Sequence, residues 1–590
     1  MDAKAVITAQ NLSKEFKGPG GMVRALDDIS LAVPPRTMTA LIGPDGAGKT
    51  TFMRLVCGLM PIGAGSLMVL GTDVTQNPQN VQDRISYMSQ RFGLYEDLTI
   101  QENLDLYADL HGVSLETRQK RFARLLEMTG LAPFTARPAG KLSGGMKQKL
   151  SLVCTLVRSP ELLVLDEPTV GVDPLSRREL WEILQHMVKE EQLTVLVSTA
   201  YMDEASLCEK VIVLHEGRIL AQGTPDDIRR NADSLCYNIA PQNNEPPREL
   251  QAHLLDDHEH IIDSVPQSDR VHFILETKST PEDLAAVTPG GNAEPVAAKL
   301  EDGFMVLLHR NSPARQDESA AIKPLDGTIG KFNAKSSDVV IEVRDLVRKF
   351  GNFTAVNNTS FSVTGGEIFG LLGPNGAGKT TTFRMLCGLL PATSGYLSVA
   401  GVNLRKSRAK ARANIGYVAQ KFSLYGNLTV QENLNFFGGI YGLYGKRLNE
   451  RIGEVKRQFN LIGHENEPSG LLPGGFKQRL AMAVGLLHQP EILFLDEPTS
   501  GIDPLARRGF WRRITDLAAG GTTIIITTHF MEEAEYCDRI LIQDQGAMLA
   551  LGTPAEVRGR AGGGEISMDE AFIRIIEQAH ARQNQLKEAA

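Results

Sequence analysis

The sequence has 590 residues, 42% of them hydrophobic and 22% charged, with a formal net charge of −8, a balance that fits ordinary globular domains and is long enough for several of them. No apolar run approaches the ~18–20 residues that span a bilayer, and the opening MDAKAVITAQ lacks the basic start and apolar core of a secretory leader, so a cytoplasmic home is expected. The six cysteines form no CxxC pair, which points to reduced, buried thiols rather than a disulfide or zinc framework.

In chain order, Ala5–Phe16 alternates apolar and polar residues as a strand does. It closes on Phe16, an aromatic that either stacks on an adenine face or belongs to a core. The apolar run Thr37–Ile42 then leads into Gly43–Thr50, GPDGAGKT. Strand, glycine-rich turn and helix start together turn this spacing into a phosphate cradle. Gly43, Pro44, Asp45, Gly46, Ala47 and Gly48 bring the backbone and a helix N-terminus to an anion. Lys49 reaches the outer phosphates, Thr50 offers a hydroxyl to Mg²⁺, and Thr51 continues the helix start. The expected ligand is a nucleoside triphosphate.

Ile85–Gln90 reads as a strand whose last residue, Gln90, can ligate Mg²⁺ through its amide oxygen or orient water without adding charge. A loop into a helix follows over Arg91–Leu110. Ser143, Gly144 and Gly145, within LSGGM at Leu142–Met146, open another helix and form a second anion-binding device. Leu162–Pro168, LLVLDEP, is a buried strand ending in two carboxylates. Asp166 suits Mg²⁺, and Glu167 suits polarising an attacking water.

The same set recurs. Lys49 and Lys379 stand 330 residues apart, and Gln90/Gln420, Gly145/Gly475, Asp166/Asp496 and Asp173/Asp503 keep that offset, so the chain is two tandem copies of one domain. The second copy opens at Val339–Phe350, ending on Phe350. Its loop is Gly373, Pro374, Asn375, Gly376, Ala377, Gly378, Lys379, Thr380 and Thr381. Thr380, Gln420 and Asp496 repeat the Mg²⁺ set, and Glu497 repeats Glu167.

Phosphate loop, Gln loop, LSGGx signature, LDEP and a following Asp, in this order and twice, resemble the nucleotide-binding domains of the ATP-binding-cassette family. The match covers about three quarters of the chain. The resemblance implies an α/β fold: two tandem P-loop NTPase domains, each with an α/β core, a β subdomain and a helical subdomain. It also implies ATP and Mg²⁺ as ligands, and two domains closing head-to-tail with each ATP held between one phosphate loop and the other domain's signature. The expected boundaries are residues 1–230 and 339–560 for the two nucleotide-binding domains, 231–338 for a connector and 561–590 for a C-terminal helix.

Two departures separate the copies. In LPGGF, Pro473 stands where Ser143 stands, ahead of Gly474 and Gly475, and removes a hydroxyl. In Val197–Tyr201, Ala200 occupies the place of His529 in Ile526–Phe530, where the family has a switch histidine able to contact a terminal phosphate. With head-to-tail pairing inside one chain, both losses fall in the site built on the first loop. The site on the second loop keeps Glu497 and His529 and borrows Ser143, Gly144 and Gly145. One hydrolytic site and one mainly for holding ATP are expected.

Residues Asn231–Asp338 carry 18 Asp and Glu against 9 Lys and Arg, the wrong sign for a nucleic-acid arm. Arg270–Glu276 and Phe304–Leu308 read as strands, Pro281–Val287 as a helix start, and Asn311–Ser337 as a tether, so a small α+β unit is expected. His253, His258 and His260 lie among acids in a stretch better read as a solvated face than as a metal site. Ser567–Glu570 is a capping-box pattern. Met568, Ala571, Phe572, Ile575, Ile576 and Ala579 form one helical stripe, better suited to docking on its own domain than to a partner contact.

The family offers two machines for such an engine. One is a transporter, in which two separate membrane-spanning permeases hold the chain at the cytoplasmic face of the inner membrane and dock on roughly Arg91–Asp105 and Lys421–Asn435. The other is a soluble two-domain ATPase on ribosomes, which should carry a basic arm between copies. The acidic connector favours transport, and Glu96–Leu104 and Gly217–Ile228 resemble subunits of drug- and polysaccharide-type exporters. Export of drug-like or lipophilic molecules is the expectation.

Overall fold

The computed structural model describes residues 5–588 apart from 19–20, 91–92, 243–244, 278, 287–290, 312–337, 421 and 564–565. Of the tether read from sequence over Asn311–Ser337, only Asn311 is described, as the last residue of a helix; the rest lies outside the described residues, as do Arg91, Phe92 and Lys421 of the expected docking segments. The chain divides by its internal contacts into two units, Met1–Cys236 with Pro295–Pro313, and Tyr237–Glu294 with Ala314–Ala590.

The first unit is built on a six-stranded sheet ordered Arg218–Gly223, Lys210–His215, Met38–Ile42, Thr194–Ser198, Leu162–Asp166, Ile85–Met88. The last five run parallel and only the Arg218–Gly223 edge is antiparallel. Met38–Ile42, Leu162–Asp166 and Thr194–Ser198 are buried at every position, the unbroken pattern of strands covered on both faces. In such sheets, ligands gather where the parallel strands end at their carboxyl side. The phosphate loop, Gln90, Glu167 and Ala200 follow four of these ends within two residues. A second, antiparallel sheet, Gly21–Val33, Ile7–Gly18, Ala64–Val69, Thr72–Asp73, shares a core with the helix Lys49–Val56 through Ile7, Leu12, Leu67, Phe52 and Leu55. The helices Ile100–Leu110, Leu115–Met128 and Gly144–Leu156 form the helical subdomain. The first starts with a capping box between Thr99 and Glu102.

The second unit repeats this plan. Its main sheet runs Ile415–Val418, Ile492–Asp496, Thr523–Thr527, Ile368–Leu372, Arg539–Asp544, Ala547–Gly552, and its antiparallel sheet runs Phe353–Thr364, Val339–Phe350, Ser394–Val399, Val402–Asn403. Its helical subdomain is Val430–Ile440, Gly445–Gln458 and Gly474–Leu486. The C-terminal helix Met568–Glu588 begins on Ser567, whose hydroxyl accepts from Glu570 N at 3.2 Å. It buries Met568, Ala571, Phe572 and Ile576 against Met531–Ala534, Pro554–Arg560 and Ala547–Gly552 of the same unit.

The connector contains a four-stranded sheet ordered Ile261–Gln267, Arg270–Leu275, Cys236–Ile239, Glu294–Pro295, covered by the helix Pro247–Asp256. The expected strand at Arg270–Glu276 is present, and Pro281–Ala286 is a short 3₁₀ helix. Phe304–Leu308 is not a strand. It lies inside the helix Leu300–Asn311, packed on Pro225–Arg229 of the first unit. Five consecutive apolar residues carry no period, so the run alone cannot separate strand from buried helix. The helix start is signalled instead by Asp302, which accepts from Lys299 N at 2.6 Å. His253 and His260 face Glu245 and Asp257 at 3.1 and 2.9 Å, as a solvated charged face does. Among the described residues, no helix is long and apolar enough to cross a membrane.

Candidate functional site

Each phosphate loop wraps tightly around its own lysine. Lys49 Nζ donates to the carbonyls of Gly43 and Pro44 at 2.7 and 3.1 Å. Lys379 Nζ does the same to Gly373 and Pro374 at 2.5 and 3.0 Å. The turn demands glycine: at Gly378 φ is +103°, and an added Cβ would lie 2.4 Å from the Ala355 carbonyl. Both lysines are buried, so an ammonium stripped of water waits at the mouth of a helix N-terminus, the arrangement that favours a phosphate chain.

The carboxylate pair ends a strand that one other strand separates from the phosphate-loop strand. In the first unit, Asp166 accepts from Ser198 Oγ at 2.7 Å, Thr50 Oγ1 at 3.2 Å and Tyr87 Oη at 3.2 Å. Asp496 is buried and accepts from Thr527 Oγ1 at 2.6 Å, yet burial still leaves its carboxyl above the usual range. A buried acid whose desolvation is not repaid by its protein partners fits a divalent cation, which reverses that balance. Asp166 with Thr50, and their counterparts by sequence offset, Asp496 and Thr380, would hold Mg²⁺. The ion would neutralise phosphate charge when bound.

Glu167 and Glu497 follow at φ +50° and +46°, a left-handed conformation that costs a non-glycine residue energy and clusters at working sites. Gln90 Nε2 donates to Glu167 Oε2 at 2.6 Å and Gln420 Nε2 to Glu497 Oε2 at 2.5 Å. Both glutamines therefore sit on the glutamate that follows the aspartate.

Here the copies diverge. His529 Nδ1 lies 3.3 Å from Glu497 Oε2. The ring is fully buried, and among the described residues neither of its nitrogens has a hydrogen-bond partner; Nε2, the one turned from Glu497, is an orphaned polar atom of the kind that a phosphate oxygen or water would satisfy. Burial pushes the Glu497 carboxyl up, but His529 and the Lys379 ammonium outweigh it and bring it below the usual carboxylate range. Ala200 occupies the same place in the first unit. Glu167 N donates to Ser198 Oγ and Glu497 N to Thr527 Oγ1, and Thr199 and Thr528 bond Glu204 and Glu533 alike. Without an imidazole, burial holds Glu167 above its ordinary value, against the pull of Lys49, 3.9 Å away. Asp45 adds to that rise. It stands where the second loop has the neutral Asn375, a charge difference visible in GPDGAGKT against GPNGAGKT that the motif reading passed over.

The signature is a separate device in each unit. Ser143 caps the helix Gly144–Leu156, accepting from Met146 N at 3.3 Å, which leaves its O–H free to donate. Pro473 begins Gly474–Leu486 with no side-chain cap. Gly145 has no room for a side chain, since a Cβ would meet Ser176 Cβ at 2.6 Å, whereas one on Gly475 would meet nothing within 4 Å. Phe16, two residues before the end of its strand, and Phe350, at the end of its own, are 38% and 46% exposed, which removes the core reading for both. Lys14 and Arg348 lie over their rings at 5.4 and 4.4 Å. All six cysteines are buried and free.

A family model described as ABC transporter matches residues 26–170 and 356–500. The chain is 46% identical over 577 residues to the probable multidrug ABC transporter ATP-binding protein YbhF of Escherichia coli (strain K12), covering 97% of this chain and 98% of that protein. It is 41% identical over 244 residues to the linearmycin resistance ATP-binding protein LnrL of Bacillus subtilis (strain 168), which covers 40% of this chain and 78% of that one. A solved structure described as an ATP binding subunit of an ABC transporter is 33% identical with a TM-score of 0.35, over 38% of this chain and 92% of its own.

Proposed function

The chain belongs to the ATP-binding-cassette transporter family, as an ATPase with two fused nucleotide-binding domains, and we propose that it powers an exporter in which only one of its two ATP sites turns over efficiently. The observation that carries this reading is the buried pair of His529 and Glu497 in the second unit, set against Ala200 and Glu167 in the first.

In the proposed cycle the two domains close head-to-tail. ATP on the second loop is held by Lys379, Thr380 and the backbone of Gly373–Gly378, with Ser143, Gly144 and Gly145 arriving from the first domain. Glu497, kept ionised by His529 and Lys379, accepts a proton from the attacking water. His529 Nε2 donates to the terminal phosphate, where negative charge must be steadied as the bond to the leaving oxygen lengthens. Gln420 orients the water. ATP on the first loop meets Gly474 and Gly475 without a serine hydroxyl, and faces Glu167 without a histidine. It is held longer and cleaved more slowly. Phe16 and Phe350 stack on the adenines.

Closure needs something to move. The proposed partners are two separate membrane-spanning permeases docked on the segments after Gln90 and Gln420, which holds the chain at the cytoplasmic face of the inner membrane. The names of the multidrug and linearmycin resistance relatives support a drug-like or lipophilic cargo, moved outward. Purification of the tagged chain from detergent-solubilised membranes of its source cells tests this. An integral membrane protein is expected to co-purify in stoichiometric amount; recovery with ribosomes and without a membrane protein would overturn the transport reading.

A further inference from the structure

The acidic connector has a specific counterpart in its own unit. The helix Pro504–Ala519 starts on Asp503, which caps it by accepting from Ala506 N at 2.9 Å, and buries Arg507, Arg508, Arg512 and Arg513. Buried guanidiniums require carboxylates. Two come from the connector. Asp263 meets Arg508 at 3.2 Å with the two side chains 6% and 9% exposed, and Asp256 meets Arg512 at 2.5 Å. The connector also reaches the segment that follows His529. Ser268 N donates to Glu535 Oε2 at 3.1 Å. Arg248 pairs with Asp538, whose other oxygen accepts from Ile368 N at 2.9 Å, at the root of the phosphate-loop strand. The first copy keeps only half of this basic face: Arg177 and Arg178 match Arg507 and Arg508, but Glu182 and Ile183 stand where Arg512 and Arg513 stand, and Arg178 faces Glu182 on its own helix.

We infer that the described residues of 237–294 are a brace for the second ATP site. By gripping the helix behind Asp503, the segment behind His529 and the strand behind the phosphate loop, they hold Asp503 and His529 in register with Glu497. Asp256, Asp263, Arg508 and Arg512 are thus positioning residues that act on turnover through the backbone they fix. A misplacement of about 1 Å at a reacting centre can cost up to about 10²-fold in rate, so the brace has leverage without touching ATP. The inference rests on the reading that the second loop carries the hydrolytic site.

The test uses the full-length chain. Removing one partner of a buried pair strands the other charge and can unfold the protein, whereas replacing both by apolar residues of similar volume is often neutral or stabilising. Asp263→Leu/Arg508→Leu is therefore compared with Asp256→Asn and with the conservative Arg508→Lys. The double variant is expected to keep its thermal midpoint and its KM for ATP while kcat falls about tenfold. Amide exchange should quicken over 503–506 and 528–538. Arg508→Lys should recover most of the rate. Wild-type kcat in a folded double variant would overturn the brace, as would a fall that tracks the folded fraction, or failure of every variant to fold. Glu497→Gln runs alongside. If hydrolysis survives that substitution, the assignment of the hydrolytic site fails; if it is lost while the double variant runs at full rate, only the brace fails.

Discussion

Glu497→Gln is expected to reduce ATP turnover by at least about 10²-fold, the usual worth of a positioned general base, while Glu167→Gln leaves turnover within about twofold of wild type. The two glutamates share a strand end, a left-handed backbone and a glutamine partner, so the substitutions are matched in everything but their surroundings. Those surroundings act in opposite directions. At Glu497 the imidazole and Lys379 overcome burial and keep the base ionised; at Glu167 burial prevails and Asp45 reinforces it. A glutamine retains the shape and the bond to Gln420 or Gln90, so what is lost is the proton acceptor. Equal losses in steady-state hydrolysis would contradict the assignment.

His529→Ala carries the second large effect, a fall in kcat of about 10²-fold, comparable to removing one donor from a charge-stabilising site. It also makes a prediction of sign. His529 and Lys379 bring the Glu497 carboxyl below its usual range, so the acid limb of the wild-type pH–rate profile should lie below that of an ordinary carboxylate. Taking the imidazole away leaves burial as the largest influence, which favours the protonated acid. The limb should therefore move to higher pH in the variant, toward the behaviour of Glu167, which has no histidine. Loss of rate with an unmoved acid limb would mean that His529 acts on the phosphate alone and does not tune Glu497.

Both expectations were legible in the sequence to the extent that the chemistry uses contiguous residues. A phosphate loop needs its glycines and lysine at fixed spacing between a strand and a helix, and a carboxylate pair needs only the end of a buried strand. The duplication then turned Ala200 and Pro473 into departures from an internal standard. What the sequence concealed depends on contacts across distance. Asp263 and Arg508 are 245 positions apart, and Asp256 and Arg512 are 256 apart, so the acidic connector read only as a surplus of charge until the fold set it against a basic helix. Phe304–Leu308 was opaque for a different reason: a short apolar run has no period, and burial by the Pro225–Arg229 helix decided its form. The substitution of Asp45 for Asn375 was in plain view, but its meaning depends on the proximity of Glu167.

The most direct measurement is a count of nucleotides on the full-length chain after a single turnover. Two ATP molecules should bind per chain, and rapid trapping after one round should recover one ADP and one intact ATP. Two ADP formed at the same rate would mean that the sites are equivalent, and the division of labour argued from His529 and Ala200 would be wrong.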